Sequence, residues 1–89
     1  MELVKRTVIA FWLKHIFLRR LGKRYPDVFK QMVADITDSA LCRKIIAKRY
    51  IGDDDGNQMG CEAIAIDLRV SVRRVFQLHK DFIDKFINA

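Results

Sequence analysis

Hydrophobic residues recur with a helical period along most of the chain, and no segment alternates strictly as a half-buried β-strand would. A first helix is predicted over residues 3–21, with Gly22 as its stop. Its apolar residues lie on several sides of the helix, so it requires cover on several sides. Pro26 suits the first turn of a second helix. The buried face of that helix would be Phe29, Met32, Val33 and Ile36.

The rest of the chain predicts three more helices and one loop of any length, residues 52–60. A third helix is predicted over residues 40–51, with N-caps offered by Thr37, Asp38 and Ser39. Its buried face would be Leu41, Cys42, Ile45, Ile46 and Tyr50. The last helix, residues 72–87, would be buried along Val75, Leu78, Phe82 and Phe86. The predicted fold class is therefore all-α, a small helical bundle of about five helices in a single domain over residues 1–89.

Residues 59–80 have the spacing of a helix-turn-helix. Ala65 is the small side chain that two closely crossing helices require, and Ile64 and Leu68 lie on one face. Ser71 stands where the N-cap of the second helix belongs. Arg69 occupies the turn position where glycine is commonest, so a positive φ is expected there at a cost of about 1 kcal/mol.

The positive charge of the chain is concentrated near its beginning. The formal net charge is +6, which favours polyanionic partners such as nucleic acid. Residues 1–24 carry seven Lys or Arg and one Glu, a net charge of +6. Residues 25–58 sum to −1 and residues 59–89 to +1, so the excess lies outside the predicted helix-turn-helix.

From residue 41 onward, the order of features matches a known type of domain. A helix ends in Lys48-Arg49-Tyr50-Ile51, an acidic loop follows, and Glu-Ala-Ile-Ala-Ile-Asp-Leu-Arg-Val-Ser leads into a long last helix. This arrangement resembles region 4 of bacterial sigma factors, and is closer still to the similar domain of phage late-transcription activators of the ArpU type. The last helix of that family carries Val, an aromatic, an aliphatic residue and His, matched here by Val75, Phe76, Leu78 and His79.

The resemblance covers about half of the chain. It implies that residues 39–89 form a sigma region 4-like helix-turn-helix in a transcription regulator of phage or prophage type. Sigma factors carry polar residues at the positions of Val72 and Phe76, which are apolar here, so the same promoter sequence is not expected. Residues 1–38 have no counterpart in the family, and they are expected to supply N-terminal helices and an oligomer contact.

The hypothesis that the helix beginning at Val72 enters the major groove of DNA assigns a role to each of its exposed residues. Arg73, Gln77, Lys80 and Asp84 share one face of it. Arg73 could bond guanine and Gln77 adenine, while Val72 could touch a thymine methyl group. Ser71, Arg74 and Lys80 are better placed for phosphates. The predicted partner is therefore double-stranded DNA, although each of these residues also fits an ordinary solvated helix face.

Two other functions remain open. The domain could be a protein-interaction module that binds RNA polymerase or another regulator without sequence-specific DNA contact. Alternatively, the basic first helix could be the working surface of a structural or RNA-associated protein. If the protein binds DNA, the first helix is expected to supply either a homodimer contact or further phosphate contacts.

Other chemistry finds little support in the sequence. There is no nucleophile beside a base and no phosphate-binding glycine loop, so an enzyme and a cofactor are not expected. The loop that starts at Asp53 has Gln58 and Ile64 where a calcium-binding EF-hand needs Gly and Glu. Cys42 and Cys61 lack the spacing of a metal site or a disulfide framework.

The last predictions concern cellular location and the surroundings of three aromatic side chains, His79, Phe76 and His15. The apolar run over residues 7–13 is too short to span a membrane and lacks a cleavage site, which favours an untargeted cytoplasmic protein. His79 is expected to pack in the core, and Phe76 to lie in the core or in a subunit contact. His15 has no partner that the sequence identifies.

Overall fold

A computed structural model describes residues 15–53 and 55–88, and every regular element in these ranges is an α-helix. The first, α1, is helical over residues 15–24. It is followed by α2 (Pro26–Ile36), α3 (Ala40–Tyr50), α4 (Cys61–Leu68) and α5 (Val72–Ile87). The predicted all-α bundle with a C-terminal helix-turn-helix is confirmed.

Local signals in the sequence set the starts of three helices. Pro26 occupies the first turn of α2. The hydroxyl of Ser39 accepts a hydrogen bond from the backbone N–H of Cys42 at 3.2 Å, and that of Ser71 accepts one from Arg74 at 3.1 Å. Each serine satisfies a backbone donor that the first turn of a helix leaves unpaired. Ser39 is thus the one of the three candidate caps that α3 uses, and Ser71 is the predicted cap of α5.

Gly22 does not end α1, contrary to the prediction. The helix continues to residue 24 and stops before Tyr25 and Pro26, because proline disfavours the helical conformation of the residue before it. Gly22 instead allows close packing of α1 on α3. A Cβ atom at Gly22 would overlap the carbonyl oxygen of Tyr50 and lie 2.7 Å from its carbonyl carbon. Residues 3–14 of the predicted first helix lie outside the described residues.

Two hydrophobic clusters form the core, and Leu78 packs against both. The larger cluster joins α1, α2, α3 and α5, and its buried members are Leu18, Phe29, Val33, Cys42, Ile46, Tyr50, Phe82 and Ile83. The smaller cluster joins α3, α4 and α5 through Ile45, Ile64, Ala65 and Val75. Because α3 contributes to both clusters, the helix-turn-helix is fixed to the rest of the described bundle.

Candidate nucleic-acid interface

The turn between α4 and α5 has the predicted backbone geometry. Arg69 adopts the left-handed conformation, with φ 56° and ψ 43°, and is the one non-glycine residue with positive φ in the described part of the chain. Its N–H donates to the carbonyl of Ile66 at 3.3 Å, and that of Val70 donates to Ala65 at 3.0 Å. These bonds close the end of α4. Ala65 itself is buried against the smaller core cluster, as its predicted position at the helix crossing requires.

The outer face of α5 is fully presented to solvent. Arg73, Gln77, Lys80 and Asp84 are all exposed, and their spacing places them on one side of the helix. None of these four side chains makes a hydrogen bond or an ion pair with any described residue. The opposite side of α5 is held in the core by Val75, Phe82 and Ile83. The helix is thus anchored by one face, with the other available for contact.

The remaining predicted site residues lie in the first turn of α5 or just before it. Val72 is the first helical residue and is partly exposed, and Arg74 is exposed beside Arg73. The hydroxyl oxygen of Ser71 already accepts the N–H of Arg74, but its own hydrogen can still be donated to a phosphate. The structure therefore brings all six predicted residues to the beginning and the outer side of one helix.

Charge is distributed unequally along α5. Residues 72–80 contain Arg73, Arg74 and Lys80 and no acidic residue, whereas Asp81 and Asp84 follow in the second half. The N-terminal end of a helix also carries a partial positive charge from its unpaired backbone N–H groups. Attraction for phosphate is therefore strongest at the first two turns, close to the helix-turn-helix turn.

Two large apolar side chains of the helix-turn-helix are exposed. Ile66 is 80% exposed and Phe76 is 55% exposed. Of the two positions predicted for Phe76, this exposure excludes the core, and the subunit contact stays a prediction. Direction on the helix does not explain the exposure, since Ile83, seven residues later on nearly the same side of α5, is buried. Ile66 was not singled out from the sequence, although its separation of two residues from the buried Ile64 places it on another side of α4.

A polar cluster lies behind this interface, around the buried ring of Tyr50. Its hydroxyl is 2.7 Å from Nε2 of His79 and 3.0 Å from Nδ1 of His15, which is the partner that sequence reasoning did not find. Burial, with the positive charge of Arg49 and the neighbouring His15, lowers the pKa of His79 to about 4. Burial, together with Arg49 and Arg19, also lowers the pKa of His15. The prediction of a packed His79 is confirmed, and its lowered pKa leaves this ring neutral at pH 7.

Acidic, histidine and cysteine side chains are scattered over the described residues. Within residues 15–53 and 55–88, no three His, Cys, Asp or Glu side chains are grouped so that they could hold a metal ion. The Oδ1 atom of Asp53 accepts the N–H groups of Asp55 and Asn57, so this carboxylate shapes its own loop. Cys42 and Cys61 are free thiols. None of the described helices is long and apolar enough to cross a bilayer.

Comparisons with known proteins add no relative. No protein-family model, no curated protein and no solved structure matches this chain.

Proposed function

We propose that this protein is a DNA-binding transcription regulator that inserts α5 into the major groove. The main support is the outer face of α5, where Arg73, Gln77 and Lys80 are exposed and unpaired among the described residues, directly after a helix-turn-helix turn. A helix of this kind, fixed by its inner face, can present its first turns to base edges.

Each exposed side chain has a role set by its chemistry. The guanidinium of Arg73 can donate two hydrogen bonds to guanine, and the amide of Gln77 can both donate to and accept from adenine. Val72 can contact a thymine methyl group. Ser71, Arg74 and Lys80 flank these residues and would hold phosphates, which fix the position of the helix without reading sequence. Asp81 and Asp84 belong to the second half of α5, which would be farther from the DNA backbone.

The resemblance of residues 39–89 to sigma region 4 supports a more specific proposal. The regulator would act in the cytoplasm at a phage or prophage promoter, together with RNA polymerase. The described α4 and α5 agree with this proposal in their order, their three-residue turn and the long last helix.

The test is selection of a binding site from a random duplex library by the full chain, followed by fluorescence anisotropy on the selected duplex. Replacing both Arg73 and Gln77 by Ala should abolish the preference for the selected duplex over random DNA. Lys44→Ala is the matched control, because it removes the charge of an exposed side chain on α3, and it should leave the preference intact. Selection that yields no preferred sequence, or a preference that survives the double replacement, would reject the proposal.

A second function is favoured by the exposed Ile66 and Phe76. Large apolar side chains that remain exposed beside a turn are typical of protein contacts. In this alternative, the helix-turn-helix docks on RNA polymerase or on another regulator. Binding of purified RNA polymerase that is lost in Ile66→Ser and Phe76→Ser, together with no salt-sensitive DNA affinity, would identify this function instead.

A further inference from the structure

The outer surface of α1 is a second strongly basic surface, formed by Arg19, Arg20, Lys23 and Arg24. All four residues are exposed. None of them forms an ion pair with a described carboxylate. Their charges are therefore not neutralised within the described bundle, and the helix-turn-helix has no share in this surface.

Arg19 is held in a fixed position on this surface. Its Nε donates to Oε1 of Gln58 at 3.2 Å, while Nε2 of Gln58 donates to the carbonyl oxygens of Arg19, at 3.0 Å, and Tyr50, at 2.6 Å. Gln58 therefore joins the end of the acidic loop to both α1 and α3. Together with Ile16, Arg20 and Lys23, these two side chains line a hollow of about 290 Å³. Its lining is mixed polar and apolar, but every charged residue in it is positive, which suits a phosphate group.

A second hollow adjoins the first, and Arg20 lines both. It has a volume of about 140 Å³, enough for one aromatic ring, and its other lining residues are Phe17, Leu21, Arg24 and Tyr25. Phe17 is 53% exposed and Tyr25 59% exposed, although both are large apolar rings. The ring of Phe17 stacks on Phe86 with centroids 6.4 Å apart, which holds it in place. This apolar slot thus lies between side chains that carry positive charge.

Charge decides which partner fits this surface. A second copy that paired with this surface through its own α1 would bring the same four cations against these, and such like-charge contacts are strongly unfavourable. A polyanion gains from every one of them. Aromatic rings beside arginines are the usual means by which proteins hold unpaired bases and their phosphates. In a duplex the bases are stacked on each other and cannot enter the slot.

We propose that this outer surface of α1 binds a single strand of nucleic acid, with one base in the slot lined by Phe17, Leu21 and Tyr25 and the neighbouring phosphates on Arg20, Lys23 and Arg24. The slot would hold the base and leave its sugar outside, so this mode of binding does not discriminate between deoxyribose and ribose. The proposal does not depend on the duplex-binding role of α5, and either proposal can be rejected while the other stands.

The experiment is fluorescence anisotropy of the full chain with a short, labelled, mixed-sequence single strand at about 50 and 200 mM salt. Tyr25→Ala should weaken binding about tenfold, because stacking of a base on the ring is lost. Tyr25→Phe should bind as the wild type does, because it retains the ring. Val28→Ala is the matched control, since Val28 is also 59% exposed but does not line the slot.

Charge is tested in the same assay. Arg20→Gln should weaken binding and reduce its salt dependence, whereas Lys30→Gln on α2 should do neither. Circular dichroism of each variant verifies that the helices remain formed.

Equal binding by Tyr25→Ala and wild type would overturn the proposal, as would a higher affinity of the α1 surface for an acidic peptide than for the strand. A DNA strand and an RNA strand of the same sequence should bind with similar affinity, and a difference of about tenfold would overturn binding through base and phosphates alone. The Arg73→Ala, Gln77→Ala double variant should retain single-strand binding, which separates this proposal from that for α5.

Discussion

The phenol oxygen of Tyr50 lies 2.7 Å from Nε2 of His79, and the two rings stack with centroids 5.7 Å apart. Nδ1 of His15 approaches the same oxygen at 3.0 Å from α1. A phenol has one hydrogen, so Tyr50 donates to one imidazole and accepts an N–H from the other. The hydroxyl thus joins α1, α3 and α5 through a pair of hydrogen bonds, and the imidazole that accepts the phenol hydrogen must be neutral.

Removal of the Tyr50 hydroxyl should destabilise the bundle. Tyr50→Phe preserves the buried ring but leaves two imidazole nitrogens without their partner. The free energy of unfolding should fall by about 1–3 kcal/mol, the usual cost of buried polar groups that lose a hydrogen bond. Urea denaturation measures it. Tyr25→Phe removes the hydroxyl of an exposed tyrosine with no described partner and is the matched control, with no change expected. Equal stability of Tyr50→Phe and wild type would mean that the network contributes nothing.

Acidification should weaken the fold through His79. Its pKa is about 4 in the folded protein, because of burial, Arg49 and His15, and about 6.5 in the unfolded chain. The unfolded state therefore takes up the proton first as the pH falls. The contribution is fully present above pH 6.5 and is lost progressively down to pH 4. Between pH 7 and pH 5 the free energy of unfolding should fall by about 1–2 kcal/mol from this group.

The comparison that isolates this effect is His79→Gln. Its absolute stability will be lower, but its stability should depend less on pH between 7 and 5 than that of the wild type. The remaining dependence includes His15, whose pKa is lowered in the same direction. Parallel pH profiles for the two proteins would show that His79 does not titrate in this window.

The parts of the fold that were predictable from sequence are those with local causes. Ser39 and Ser71 cap helices because their hydroxyls bond to backbone groups three residues away. Arg69 could be assigned a positive φ because the three-residue turn requires one at that position. The face of α5 that carries Arg73 and Gln77 follows from helical periodicity alone.

The parts that were not predictable depend on contacts between distant segments. Gly22 looked like a helix stop, but its role is set by the backbone of Tyr50, 28 positions later in the chain. The partner of His15 is again Tyr50. Phe76 could be placed on α5 but not relative to the bundle, since its exposure depends on which helices pack beside it. Periodicity gives the direction of a side chain, and only packing gives what it meets.

Replacement of Arg69 by glycine should stabilise the protein. Arg69 has φ 56°, which costs a non-glycine residue about 1–2 kcal/mol, while glycine loses more entropy on folding. The expected net gain is about 0.5–1 kcal/mol, measured by urea or thermal unfolding. Arg69→Ala retains a Cβ atom and should give no gain. If both variants matched the wild type, the left-handed turn would not be strained.

Gly22→Ala should lower the stability of the protein, whereas replacing glycine by alanine inside a helix usually raises it. Alanine is normally favoured over glycine in a helix by about 1 kcal/mol. At this position the new methyl group would overlap the carbonyl of Tyr50 and force α1 away from α3, so a loss of about 1–3 kcal/mol is expected. Lys23→Ala, next in the helix and exposed, is the control and should change stability by less than about 0.5 kcal/mol. A stabilised Gly22→Ala would mean that α1 does not approach α3 so closely.

Arg73 and Lys80 should differ in how they affect DNA binding, if α5 reads the major groove. Arg73→Ala should cost about 1–3 kcal/mol on the selected duplex and relax the preference at one base pair, because the bidentate contact carries sequence information. Lys80→Ala should weaken selected and random duplexes alike, and should reduce the slope of log affinity against log salt by about 1, the effect of one lost phosphate contact. Anisotropy titrations at several salt concentrations measure both quantities, with Lys44→Ala as the charge-matched control. If Arg73→Ala weakened all duplexes equally, Arg73 would contact phosphate rather than a base, and the base-reading role would have to move to other residues of α5.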